Sequence, residues 1–176
     1  MNKEKFKNLK LKIKNSEKGF TLVELLIFMG IFSILMITML ELMTSIFDVQ
    51  LESQSTSSVT RDSGFILNRL SYDVLGSTGI TTPVPGSQSA TLVLTKGTTT
   101  YTYSLSGGNL MFTDSSLGTS DQLNSIDTTV SNLNFLRLSS SGSARSTITA
   151  SFTLTSKTVR RGGVQVQNFK ETVGTR

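Results

Sequence analysis

Apolar and polar positions divide this chain into four zones. Residues 1–19 are polar and lysine-rich, and residues 20–40 are apolar with a single charge, Glu24. At 1.5 Å per residue a helix of that length spans about 31 Å, close to the ~30 Å hydrocarbon core of a bilayer. Residues 41–75 turn amphipathic. Phe47 and Leu51 lie four apart, and Val59, Ile66, Leu70 and Val74 follow at intervals of seven and four, which makes one apolar stripe. Gln50, Glu52, Gln54, Arg61, Asp62 and Asn68 are expected on other faces, and the Ser-rich run at 55–58 weakens the pattern. No proline precedes Pro83, so one helix is expected over 20–75, membrane-spanning over about 20–43. Gly76 and Gly79 ahead of Pro83 give the stop, and Gly30 and Gly64 are candidate soft points.

The fourth zone, 76–176, has a period of two and glycine punctuation. Ile148, Ala150, Phe152 and Leu154 alternate with hydroxyl residues, the mark of a strand with one buried face. Leu92 and Leu94, then Tyr101, Tyr103 and Leu105, then Leu110 and Phe112 repeat that pattern. Ser106-Gly107-Gly108-Asn109 reads as a hairpin turn between the last two. Residues 130–138 and 164–173 supply two more strands, with Gly162-Gly163 turning into the second, and 139–144 reads as a loop. Connections too short for helical crossovers imply antiparallel pairing. The expected class is α+β: a long N-terminal helix, transmembrane then amphipathic, packed on an antiparallel β-sheet head.

Charge refines this picture. The formal net charge is +5. Residues 1–19 hold seven lysines and two glutamates, so the whole excess lies there and the remainder is neutral. The head therefore carries no electrostatic footprint for nucleic acid. Lysines before the apolar run, and no basic residue after it until Arg61, orient the N-terminus to the cytoplasm and the head outside. A cleaved secretory signal would need small residues near 41–45, where Met43 stands. An uncleaved anchor fits the hydropathy but leaves Glu24 unexplained.

A carboxylate in hydrocarbon costs a few kcal/mol, about 2.5–3.5 on the insertion scale, and so calls for a partner. Cleavage between Gly19 and Phe20 would create one, the α-amino group of Phe20. That amine heads the helix while Glu24 sits four residues in, so the pairing suits two chains displaced along a shared axis. Glu24 is then an assembly contact.

Lys18-Gly19 followed by Phe20-Thr21-Leu22-Val23-Glu24-Leu25-Leu26 resembles the processing motif of type IV prepilins and pseudopilins. The resemblance implies cleavage after Gly19 by a prepilin peptidase, N-methylation of Phe20, and packing with other pilin or pseudopilin subunits on an inner-membrane assembly platform. The stretch 61–75, leading to Gly79-Ile80, is similar to the helix end of W-type minor pilins and J-type minor pseudopilins, and the closing 164–173 strand is typical of that group. It departs from the basic-rich version at Leu75-Gly76-Ser77.

Other chemistry is sparse. The chain has no Cys and no His, which removes the usual nucleophile–base pairs, and it carries no phosphate loop or Gly-x-Ser-x-Gly. No enzyme activity and no cofactor are expected. Asp114, Asp121 and Asp127 read as solvated loop acids before they read as Ca²⁺ ligands, and Arg160-Arg161 as a solvated hairpin tip. An adhesin-like surface-binding module on a membrane anchor is the alternative to a filament subunit.

Overall fold

The structure is a computed structural model that describes residues 19–138 and 145–176. The lysine-rich leader up to residue 18 and the expected loop at 139–144 lie outside the described residues.

One helix, α1 (Leu22–Gly76), starts and stops within two residues of the expected positions, and runs unbroken through Gly30 and Gly64. The chain divides into two compact units, one ending at Ile46 and one comprising Phe47–Arg176. In the first, every helical side chain is exposed, including Leu25, Phe28, Ile31, Leu35 and Met39. The helix is long and apolar enough there to cross a membrane. In the second unit the amphipathic stripe is buried as expected at Val59, Ile66, Leu70 and Val74. Phe47 stays exposed and Leu51 is half-buried, so the stripe begins to pack only from about Ser55.

Among the described residues nine strands follow: β1 (Gly79–Thr82), β2 (Gln88–Ser89), β3 (Leu92–Lys96), β4 (Thr99–Ser106), β5 (Asn109–Asp114), β6 (Thr119–Gln122), β7 (Thr128–Arg137), β8 (Thr147–Arg160) and β9 (Gly163–Gly174). They form two antiparallel sheets, one ordered β1-β3-β4-β5-β6 and the other β2-β7-β8-β9. This is an α+β, pilin-like architecture. The β4–β5 hairpin turns on Gly107 and Gly108 at φ 57° and 81°, the left-handed pair that a two-residue turn requires.

Alternation decides the core. Ile148, Ala150, Phe152 and Leu154 of β8 all fall at or below 2 % exposure, and Leu92, Leu94, Tyr103, Leu110 and Phe112 join them from the first sheet. Leu105 departs from expectation and is exposed although its register partner Leu110 is buried, because it lies one residue from the end of β4 at the β4–β5 turn. β1, β2 and β6 were not expected; all three are edge strands of two to four residues with little or no apolar alternation.

One polar expectation fails on the helix. Asp62 is buried, not on an outer face, and so are Ser55 and Ser58. The serines are small enough to let the helix approach β8, where Ser58 Oγ lies 3.5 Å from Ser156 Oγ. Asp62 is tolerated inside because Ser125, in the lead into β7, and Thr128, the first residue of β7, bring it three hydrogen-bond donors, described below.

Candidate functional site

The first turn of α1 holds the sequence-predicted residues. Gly19 and Phe20 are exposed and precede the helix. Thr21 is the N-cap: its Oγ1 accepts the Glu24 backbone N–H at 3.2 Å, satisfying one of the amides that open a helix. Glu24 therefore occupies the third helical position, and Thr21-x-x-Glu24 is a capping-box sequence. Phe20, one residue ahead of the cap, shares a shallow apolar hollow with Leu25 and Phe28. Phe20 and Leu25 hold the positions of a hydrophobic staple, which fixes how the chain enters the helix.

Phe-Thr-Leu-Val-Glu-Leu is thus a helix-start signal in its own right. The spacing Thr-x-x-Glu and the flanking apolar pair were visible in the sequence. Part of the tolerance for Glu24 is local, since a carboxylate in the first turn answers the partial positive charge of the helix N-terminus by roughly 0.3–1 kcal/mol. That falls short of the few kcal/mol that a carboxylate placed in hydrocarbon would cost.

Two further carboxylates on the same helix carry structural chemistry that the hydropathy pattern hid. Asp62 is 4 % exposed, and its Oδ2 accepts the Ser125 N–H at 2.8 Å, the Ser125 hydroxyl at 2.7 Å and the Thr128 hydroxyl at 2.6 Å. Burial by itself raises this carboxyl. The hydrogen bonds from Thr128 and Ser125, with the Arg61 charge, outweigh burial and hold it below the usual carboxylate range. Asp73 is 2 % exposed and takes Arg69 Nε at 2.9 Å together with the Tyr103 hydroxyl. Burial, then the hydrogen bond to Asp73 and its charge, push the Tyr103 phenol far above its usual range. Arg69 also lies 4.5 Å from the centre of the Phe112 ring, a cation–π contact on the first sheet.

Of the three loop acids, Asp114 and Asp121 line one hollow beside Arg69 and Phe112, and Asp127 is not part of it. Asp114 closes a local turn by accepting the Ser116 N–H at 2.8 Å and hydroxyl at 2.7 Å, Asp121 lies on β6, and Asp127 is 3.8 Å from Arg61. Among the described residues no group of three or more His, Cys, Asp or Glu is gathered as a metal site. The Arg160-Arg161 tip is tied down at one residue. Arg160 donates to Glu52 and is largely covered, while Arg161, 89 % exposed at its side chain, stands 3.8 Å from Asp48. Glu52 draws Arg160 out of the solvated role expected for it.

Residues 14–40 match the family described as the prokaryotic N-terminal methylation motif. This is the signature of type IV prepilins and pseudopilins, and it marks a pilin-like precursor processed by a prepilin peptidase. The motif also implies assembly with other pilin subunits and a structural role. No curated protein and no solved structure matches the chain.

Proposed function

We propose that the chain is a minor pilin or pseudopilin precursor that assembles as a structural subunit of a type IV pilus or a type II secretion pseudopilus. It begins as a single-pass protein of the cytoplasmic membrane, with residues 1–19 in the cytoplasm, α1 spanning from about residue 20 to 43, and the head from residue 76 outside. The peptidase cuts between Gly19 and Phe20, and Phe20 is N-methylated. The new amine of one subunit then meets Glu24 of its neighbour as the subunits leave the membrane through an inner-membrane platform.

The observation that carries this reading is the helix surface from Leu22 to Leu40, exposed throughout and with Glu24 as its one charge. A helix of that kind is stable only against lipid or against other helices. A precursor that exchanges one for the other uses the same surface twice, and Glu24 supplies the one contact that lipid cannot.

Intact mass and N-terminal sequencing of the chain co-expressed with a prepilin peptidase test the processing: an N-methylated Phe20 is expected. Retention of residues 1–19 would favour an anchored surface-binding module instead. Assembly is tested with Glu24→Gln and Glu24→Ala. Glutamine keeps the capping-box chemistry and loses only the charge, so both variants should be cut while neither enters filaments efficiently. Normal incorporation of Glu24→Gln refutes the charge pairing.

A further inference from the structure

The outer face of the β8–β9 hairpin changes character along its length. Away from the turn it presents Thr149, Ser151 and Thr153 on β8 against Thr172, Lys170 and Asn168 on β9. Within about 13 Å of the turn, at ~3.3 Å per residue, it becomes apolar. Val159 stands opposite Val164 in the strand register, and Val166 lies two residues along on the same face. They are 69 %, 42 % and 53 % exposed. Three exposed valines at the end of a hydroxyl-rich sheet have no role in this core.

The place of that turn is fixed by Arg160. Arg160 is bound to Glu52 and Arg161 stands by Asp48, so the tip is held to the helix residues that follow the apolar stretch directly in the chain. Glu52 and Asp48 balance the two arginines in charge, and Lys157 is the further cation of β8. The tip therefore offers a bilayer little net charge and a compact apolar surface.

We infer that the β8–β9 hairpin tip is a membrane-surface contact, in which Val159, Val164 and Val166 enter the headgroup boundary of the outer leaflet while the precursor is anchored. The inference rests on the anchored state proposed above. Because the arginines are paired, the contact is apolar in origin: it forms on zwitterionic lipid and resists salt, unlike a polybasic patch.

The chain contains no tryptophan, so single reporters can be placed at will. Val164→Trp and Val166→Trp are made in the full chain and reconstituted into phosphatidylcholine vesicles with acyl chains brominated near the headgroup. Ile34→Trp reports the span, and Val84→Trp, 61 % exposed, reports the head near Arg137, whose partner Ile148 lies at the far end of β8. Expected are blue-shifted, bromine-quenched emission at 34, 164 and 166, unchanged by added salt, and unquenched emission at 84. Quenching at 34 with none at 164 and 166 overturns the tip contact alone. No quenching at 34 overturns the anchoring on which it rests. A blue shift at 164 that grows with protein concentration without bromine quenching also overturns it, in favour of coverage by a second subunit.

Discussion

Replacing Asp62 with alanine removes the acceptor of three hydrogen bonds from a site that is 4 % exposed. Bonds to a charged acceptor are worth about 1.5–3 kcal/mol each when taken singly, and they do not add when they share one oxygen. The alanine variant also leaves the Thr128 hydroxyl, on a fully buried residue, without this acceptor. A net loss of about 3–4 kcal/mol is expected, in the range seen when one member of a buried polar pair is deleted. For a unit of roughly 130 residues, Phe47–Arg176, each kcal/mol shifts Tm by about 3–5 °C, so the melt should fall by about 10–15 °C. Asp62→Asn keeps an acceptor of the same shape and should lose about half as much. The assay is thermal unfolding of the full chain in detergent micelles, followed by circular dichroism at the sheet band. The pH dependence sharpens it. The folded carboxyl titrates below its unfolded value, so its contribution is complete above about pH 4 and disappears as pH falls through the folded value. The gap between wild type and Asp62→Asn should therefore narrow on acidification. A shift for Asp62→Ala below about 3 °C, less than 1 kcal/mol, would falsify the claim that this carboxylate pins the helix to the second sheet.

Tyr103→Phe removes the hydroxyl that Asp73 accepts and should cost about 1.5–3 kcal/mol in the same melt. In the wild type, the raised phenol keeps its proton while an unfolded one ionises near pH 10, so this stability is present below pH 10 and is lost above it; tyrosine absorbance should show one phenol that ionises only as the chain unfolds. Gly107→Ala forces a left-handed turn residue to carry a Cβ and should cost about 1 kcal/mol, read as a Tm lowered by about 3–5 °C. Thr21→Ala removes the cap at Glu24 N–H, and hydrogen exchange at that amide should accelerate about five-fold, the equivalent of ~1 kcal/mol; unchanged exchange would show that the first turn does not depend on the cap.

Sequence reading recovered the elements in which periodicity and burial coincide. The β8 alternation, the Ser106–Asn109 turn and the long helix were legible because each has a repeating apolar face or a turn residue with one conformational use. β6 was invisible because all four of its residues are exposed at a sheet edge, where no alternation is imposed. The buried helix carboxylates were misplaced for a different reason. Hydropathy assigns Asp62 to water, whereas its partners Ser125 and Thr128 are more than sixty residues away in the chain, and only the fold brings them to it. At the helix start the reverse held: the whole signal lay within six residues, and Thr21 was the part that a search for charge alone passes over.

Asp62 and Asp73 stand eleven residues apart on one helix, close to three turns and about 16 Å. One is fastened to the lead into β7, the other to β4. A slip of the helix by a single turn would strand both anions at once among groups that cannot answer them. A tensile load running along the helix would thus pass into the sheets as shear at two clamps, and the head would be dragged whole before the helix slid through it.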